Sequence, residues 1–273
     1  MAVESLVDDH NQQAYVLAGA ARGGGAWHSG AVPTLLLVRH GRTDANATGL
    51  LAGWTEGVGL DEQGRTQARD LATRIAGLPV RLAAVSPLQR CQETADELYA
   101  AAQAHDAGWG EARRVTVDAI GECHYGAWTG RPLSELAQED LWRTVQDHPS
   151  RARFPASPDH ASESIADLQH RAVAAVRDLD RLVEAEHGPD AVWLLVSHGD
   201  VIKAILADAA GSHLDLFQRF VVGPASLSVI RYTEARPFVI RINDGGNDLS
   251  GLAPARPKDE TPRGDAAVGG GTA

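Results

Sequence analysis

Unbroken apolar runs constrain this chain most. TLLLV at residues 34–38, LAAVS at 82–86 and VWLLVS at 192–197 carry no charge and no alternation. A strand that reads this way is buried on both faces, the condition of a parallel sheet held between two layers of helix. Helical patterns lie between the runs. Asp61 can cap EQGRTQARDLATRIAG, with Leu71, Ile75 and Leu78 near helical spacing. Pro87 takes a favoured first helical position and opens LQRCQETADELYAAAQ. Ser164 to Glu186 predicts a long amphipathic helix, and another is expected from Asp200 to Ala209. RVTVDAI at 114–120 alternates as a strand should, and SLSVIRYT and PFVIRIN supply the last two strands. The expected fold is therefore α/β, three-layer, with a mostly parallel sheet and helices on both faces.

The 273 residues do not all share this pattern. Residues 1–31, with ARGGGAWHSGA, read as a flexible N-terminal tail, and 250–273, rich in Gly, Pro and charge, as a disordered C-terminal one. One domain is expected over 33–249, with a small cap insertion at about 131–164. The first residues lack the basic region of a signal peptide, and no apolar run approaches the ~18 residues of a membrane span. Only Cys91 and Cys123 are present, which predicts two buried, reduced thiols and not a disulfide framework. A soluble cytoplasmic protein with no membrane partner is expected. The net charge of −11 leaves no basic surface for nucleic acid. It also sets a condition: an anionic ligand must be held by arginines gathered locally.

Chemistry gathers at the strand ends. TLLLV runs into Arg39-His40-Gly41-Arg42-Thr43, and VWLLV into Ser197-His198-Gly199-Asp200. Ligand sites of open α/β sheets lie beyond the carboxyl ends of the strands, so two strands deliver one histidine each to that edge. The glycine after each permits a tight turn and close approach of backbone to a ligand. A lone histidine in such a place is ordinarily structural. Two in matching contexts, one preceded by arginine, point to a site.

These residues resemble the signature of the histidine phosphatase superfamily, the phosphoglycerate-mutase-like proteins. The likeness extends beyond Arg39-His40-Gly41 to Asn46, Gly53-Trp54, and Leu60-Asp61-Glu62-Gln63-Gly64-Arg65. It continues through Ser86-Pro87-Leu88-Gln89-Arg90, Glu122-Cys123-His124-Tyr125-Gly126 with Trp128, and Ser197-His198-Gly199. The blocks follow the family's order over roughly residues 33–232.

The resemblance implies a phosphomonoester hydrolase acting on a small phosphorylated metabolite through a phosphohistidine, with no metal and no cofactor. His40 matches the nucleophile, Glu122 the proton donor and later acceptor, Arg39 and Arg90 the phosphate clamp, and His198 a donor to the phosphoryl group. Phosphoryl transfer needs such positioning and charge stabilisation above all. A hydrogen bond from one His40 nitrogen to a backbone carbonyl would leave the other nitrogen as the attacking atom. Asn46, Arg42, Thr43, Gly53, His124, Tyr125 and Gly199 are expected substrate contacts, with Trp128 and Phe154 at the rim. Taken alone, Arg90 also reads as a helix-surface partner of Glu93 and Glu97, and Glu122 as a solvated loop carboxylate. Asp44 and Asp200 beside the histidines could suggest a metal. The family uses none, and Asp200 is expected to cap the helix that follows.

Departures from the pattern bear on the substrate. Thr129 stands where many relatives carry a carboxylate, and Ala52 where mutases carry a hydroxyl residue. His124 and Tyr125 resemble the mutase form of the acid block. The cap offers Arg143, Arg151 and Arg153 among Glu135, Glu139, Asp140, Asp147, Asp159 and Glu163, a mixture unlike a bisphosphate cradle. The phosphatase reading is therefore preferred. A phosphoglycerate-type mutase is the alternative, and an inactive phospho-ligand binding protein the alternative of another class. A homodimer is compatible with either enzyme.

Overall fold

The structure, a computed structural model, describes residues 32–104, 109–110 and 112–246. Both expected tails, 1–31 and 250–273, lie outside those residues. The apolar runs form the centre of one six-stranded sheet: β1 (Thr34–Arg39), β2 (Val80–Val85), β3 (Arg113–Thr116), β4 (Val192–Ser197), β5 (Leu227–Tyr232) and β6 (Pro237–Asp244), in the order β3-β2-β4-β1-β5-β6. The first four strands are parallel, and β5 and β6 close one edge antiparallel. Every residue of β4 is buried, as an unbroken apolar run between helical layers requires.

Among the described residues seven α-helices accompany the sheet: α1 (Asp44–Thr48), α2 (Glu62–Ile75), α3 (Gln89–Ala104), α4 (Leu133–Leu136), α5 (Asp140–Asp147), α6 (Ile165–His187) and α7 (Gly199–Ala209). One face packs Leu36, Val38, Ala83 and Leu194 against Leu71 and Ile75 of α2 and Leu98 of α3. The other packs Leu35, Leu37 and Trp193 against α6, α7 and the cap, through Val176, Ile202 and Phe154. Asp61 caps α2 through the Gly64 N–H, and Ser164 forms a capping box with Asp167 at the start of α6. Cys91 and Cys123 are buried free thiols. Among the described residues no helix is long and apolar enough to cross a membrane.

Three local expectations are corrected. The RVTVDAI strand stops at Thr116, where its one partner β2 ends at Val85; the Val117 amide makes the last bond, to Val85 O at 3.0 Å, and Asp118–Ile120 then turns as a 3-10 helix. Helix α3 begins at Gln89, two residues after Pro87, because Leu88 supplies the first carbonyl to the Cys91 and Gln92 amides. Asp200 does not cap α7. The N-cap is His198, and the Asp200 carboxylate turns inward to accept the Tyr125 hydroxyl at 2.8 Å.

Candidate active site

Strand register builds the site. β1 and β4 pair so that Arg39 stands opposite Ser197, and the His40 amide donates to the Ser197 carbonyl at 2.9 Å. The next residue of each strand is a histidine. Their ring centroids are 5.3 Å apart, although 158 residues separate them in sequence. The loop after β1 then passes against the first turn of α2. A side chain on Gly41 would place its Cβ 2.4 Å from the Gly64 carbonyl oxygen, and one on Gly64 would meet the Arg42 oxygen at 2.1 Å. Only paired glycines admit this approach.

His40 donates from Nδ1 to its neighbour's carbonyl, Gly41 O, at 2.7 Å. That bond fixes the tautomer and leaves a lone pair on Nε2. Burial, with Arg90 and Arg39 nearby, holds the His40 pKa well below the ordinary histidine value. The ring is therefore neutral. The Gly41 amide donates to Thr94 Oγ1 at 3.0 Å, which holds the loop on α3.

His198 is set by Ser86. The Ser86 hydroxyl lies 2.7 Å from Nε2 and itself takes the Leu88 N–H at 3.4 Å. The Ser86 bond fixes the orientation of the ring and turns Nδ1 toward Glu122. That Nδ1 is 3.8 Å from Glu122 Oε2. Burial, then Arg90 and His40, keeps this imidazole uncharged as well.

Two guanidinium groups supply the local positive charge. Arg39 is wholly buried and donates to the Val222 carbonyl at 2.7 Å; burial lowers its pKa to about 10, with Glu122 and Asp200 pulling it back up. Arg90 is 3% exposed and donates to the Gly53 carbonyl at 2.9 Å. It is no surface ion-pair residue: Glu93 and Glu97 pair with Arg65 at 2.8 and 3.3 Å. Glu122 is buried, not solvated, and its Oε1 accepts the Cys123 amide at 2.9 Å. Burial pushes its pKa up to about 7, Asp200 adds to the rise, and Arg90 restrains it. A carboxyl group so placed can give and take a proton near neutrality.

The sequence model of the histidine phosphatase superfamily (branch 1) matches residues 35–245. The chain belongs to this superfamily. Phosphoserine phosphatase 1 of Hydrogenobacter thermophilus is 28% identical over 215 residues, 77% of this chain and 91% of that protein. A 2,3-bisphosphoglycerate-dependent phosphoglycerate mutase 2 of Gloeobacter violaceus is 31% identical over 175 residues, 64% of this chain and 74% of that one. A variant phosphoserine phosphatase of Entamoeba histolytica, solved with phosphoserine, superposes with a TM-score of 0.65 at 21% identity, covering 78% of this chain and 98% of its own. That likeness shows the shared mixed α/β fold.

In this histidine phosphatase a pocket opens over His40, Arg90 and Glu122, with Arg39 and His198 wholly buried beside it. Of the expected substrate contacts, Thr43, Asn46, Gly53 and Tyr125 line it. Asn46 Oδ1 takes two bonds from Thr43, so its NH2 is the end left to donate to a ligand. The others do not line it. Arg42 pairs with Asp61 at 2.7 Å. His124 lies flat on Trp54, with ring centroids 4.6 Å apart. Gly199 is buried in the first turn of α7. Trp128 and Phe154 are not rim residues; both are core, stacked edge to face at 5.4 Å. Among the described residues no three His, Cys, Asp or Glu side chains converge as a metal site. The sequence shows Ser86 within a motif and Thr94 within a helical stretch, but neither with a role of its own. It does not mark the apolar wall of Ala45, Leu50, Leu51 and Leu133 at all.

Proposed function

We propose that this histidine phosphatase hydrolyses small phosphomonoesters through a phosphohistidine on His40. The observation that carries the reading is the Nδ1 bond from His40 to Gly41 O at 2.7 Å, which leaves Nε2 as a neutral nucleophile beside the pocket. Nε2 attacks phosphorus as the ester P–O bond breaks. Glu122, protonated because burial raises its pKa to about 7, gives its proton to the leaving oxygen. Arg39, Arg90 and the Nδ1–H of His198 stabilise the charge on the phosphoryl oxygens. Glu122, now ionised, takes a proton from water, which attacks the phosphohistidine; the N–P bond breaks and phosphate departs.

Rapid quenching of the protein with a labelled phosphomonoester tests this. An acid-labile phosphoenzyme is expected from the wild type and none from His40→Ala. A label that persists in His40→Ala removes His40 from the nucleophile's role. The Gloeobacter likeness favours a second reading, a phosphomutase. Stimulation of phosphate transfer between monophosphoglycerates by 2,3-bisphosphoglycerate would select it over hydrolysis.

A further inference from the structure

We infer that the leaving-group half of the pocket receives a neutral, apolar group, so that the substrates are phosphomonoesters carrying no second anion. The inference rests on reading the pocket as a phosphomonoester site. Besides His40, Arg90 and Glu122 the lining holds Ala45, Leu50, Leu51, Ala52 and Leu133, and its remaining polar side chains, Thr43, Asn46 and Tyr125, are uncharged. This wall is built by backbone pairing between two distant segments. Leu51 N–H donates to Arg131 O at 2.9 Å, Gly130 N–H to Leu51 O at 2.7 Å, and Leu133 N–H to Gly49 O at 2.8 Å. The start of the cap is thereby stapled to the loop after α1, and Leu50, Leu51 and Leu133 of the lining come from these paired segments.

The charges near this wall are already spent. Among the described residues Arg90 is the only cation in the lining, and with the buried Arg39 it is needed for the phosphate itself. Arg42 pairs with Asp61 at 2.7 Å, Arg131 with Glu139 at 2.7 Å and Arg153 with Asp167 at 2.6 Å. Arg171 holds Glu163 at 2.6 Å and donates to the carbonyls of Ala119, Gly121 and Glu122. Arg143 and Arg151 are exposed and outside the lining. His124 adds no charge, because burial lowers its pKa and its ring is stacked on Trp54. A carboxylate or second phosphate on the leaving group would therefore lose water against alkyl side chains and gain no cation.

Calorimetry on His40→Ala, which binds without turnover, tests the inference with phenyl phosphate and butyl phosphate against 3-phosphoglycerate and phosphoserine. The neutral esters are expected to bind about tenfold tighter or more. Equal or tighter binding of the two carboxylate-bearing esters, or binding of none of the four, overturns the inference. Should the wild type turn over none of them while His40→Ala keeps the neutral preference, the hydrolytic reading falls and this inference stands. Leu50, the most exposed residue of the wall at 36%, offers a second test. Leu50→Lys is expected to narrow the gap by improving 3-phosphoglycerate binding, and an unchanged ratio counts against the apolar wall as the discriminating feature.

Discussion

The rings of His40 and His198 lie across the seam between two parallel strands, inclined by 60° to each other. Both are neutral. His40 gives its Nδ1 hydrogen to Gly41 O and keeps a lone pair on Nε2, while His198 holds Nε2 against the Ser86 hydroxyl at 2.7 Å and turns Nδ1 toward Glu122 at 3.8 Å. In the proposed mechanism one ring is the nucleophile and the other a donor. Replacing His40 by Ala is expected to lower hydrolysis of p-nitrophenyl phosphate by a factor on the order of 10³ or more, and His198→Ala by about 10²–10³. Survival of His40→Ala within about tenfold of wild type contradicts the assignment.

Glu122 should show itself in the pH dependence. Its pKa of about 7 leaves the carboxyl protonated below neutrality. The kcat/KM for alkyl phosphates, which need the acid, is expected to fall as pH rises through about 7. Glu122→Gln should cost roughly 10²–10⁴ with alkyl phosphates and far less with p-nitrophenyl phosphate, whose leaving oxygen is already stable. Equal losses on both would argue against proton donation. Stability carries the same signature. The unfolded carboxyl ionises near 4.5 while the folded one resists to about 7, so the wild type loses stability across that window. In urea titrations Glu122→Gln should gain on wild type between about pH 5 and about pH 8.

Asp200 is expected to tune Glu122 from behind. It accepts the Tyr125 hydroxyl at 2.8 Å and lies 3.6 Å from the Lys203 ammonium, and its charge is one of the causes that raise the Glu122 pKa. Asp200→Asn keeps an oxygen for Tyr125 and removes the charge. The basic limb of the alkyl phosphate profile should then move to lower pH. A limb that stays in place would mean that burial alone sets the acid.

Gly64→Ala tests the contact between the nucleophile loop and α2. In an ordinary helix interior this change gains about 1 kcal/mol. Here the added Cβ would sit 2.1 Å from the Arg42 carbonyl oxygen, so the loop carrying His40 must shift. Loss of both stability and kcat is expected, read by chemical denaturation and by p-nitrophenyl phosphate hydrolysis. A stabilised, fully active variant would show that the approach is not required.

Metal removal should be without effect. Among the described residues no three candidate ligands converge, and the proposed mechanism assigns every step to side chains of the site. Dialysis against EDTA is expected to leave activity intact. Loss restored by a divalent cation would contradict the mechanism.

The sheet and the charged half of the site were legible because both are local in sequence. An unbroken apolar run names a central strand, and Arg39-His40 and Ser197-His198 sit where such a run stops. What was not legible is set by partners far away. Arg42 looks like a ligand contact until Asp61 is found beside it. Trp128 and Phe154 look like rim residues, but the cap folds over them and buries both. Asp200 occupies a capping position by number, yet Tyr125, 75 residues earlier, draws it inward. The apolar wall has no motif at all, since backbone pairing between residues 49–51 and 130–133 creates it.

The strand order has a consequence for the order of events in making this protein. β4 lies between β1 and β2, so the two earlier strands have no ladder to share until β4 is present. A ribosome extends the chain at roughly 5–20 residues per second, which places His40 outside its site for on the order of ten seconds before His198 is made. Throughout that interval the proposed nucleophile exists without His198 beside it. The pairing that brings the two histidines together is the same pairing that closes the sheet.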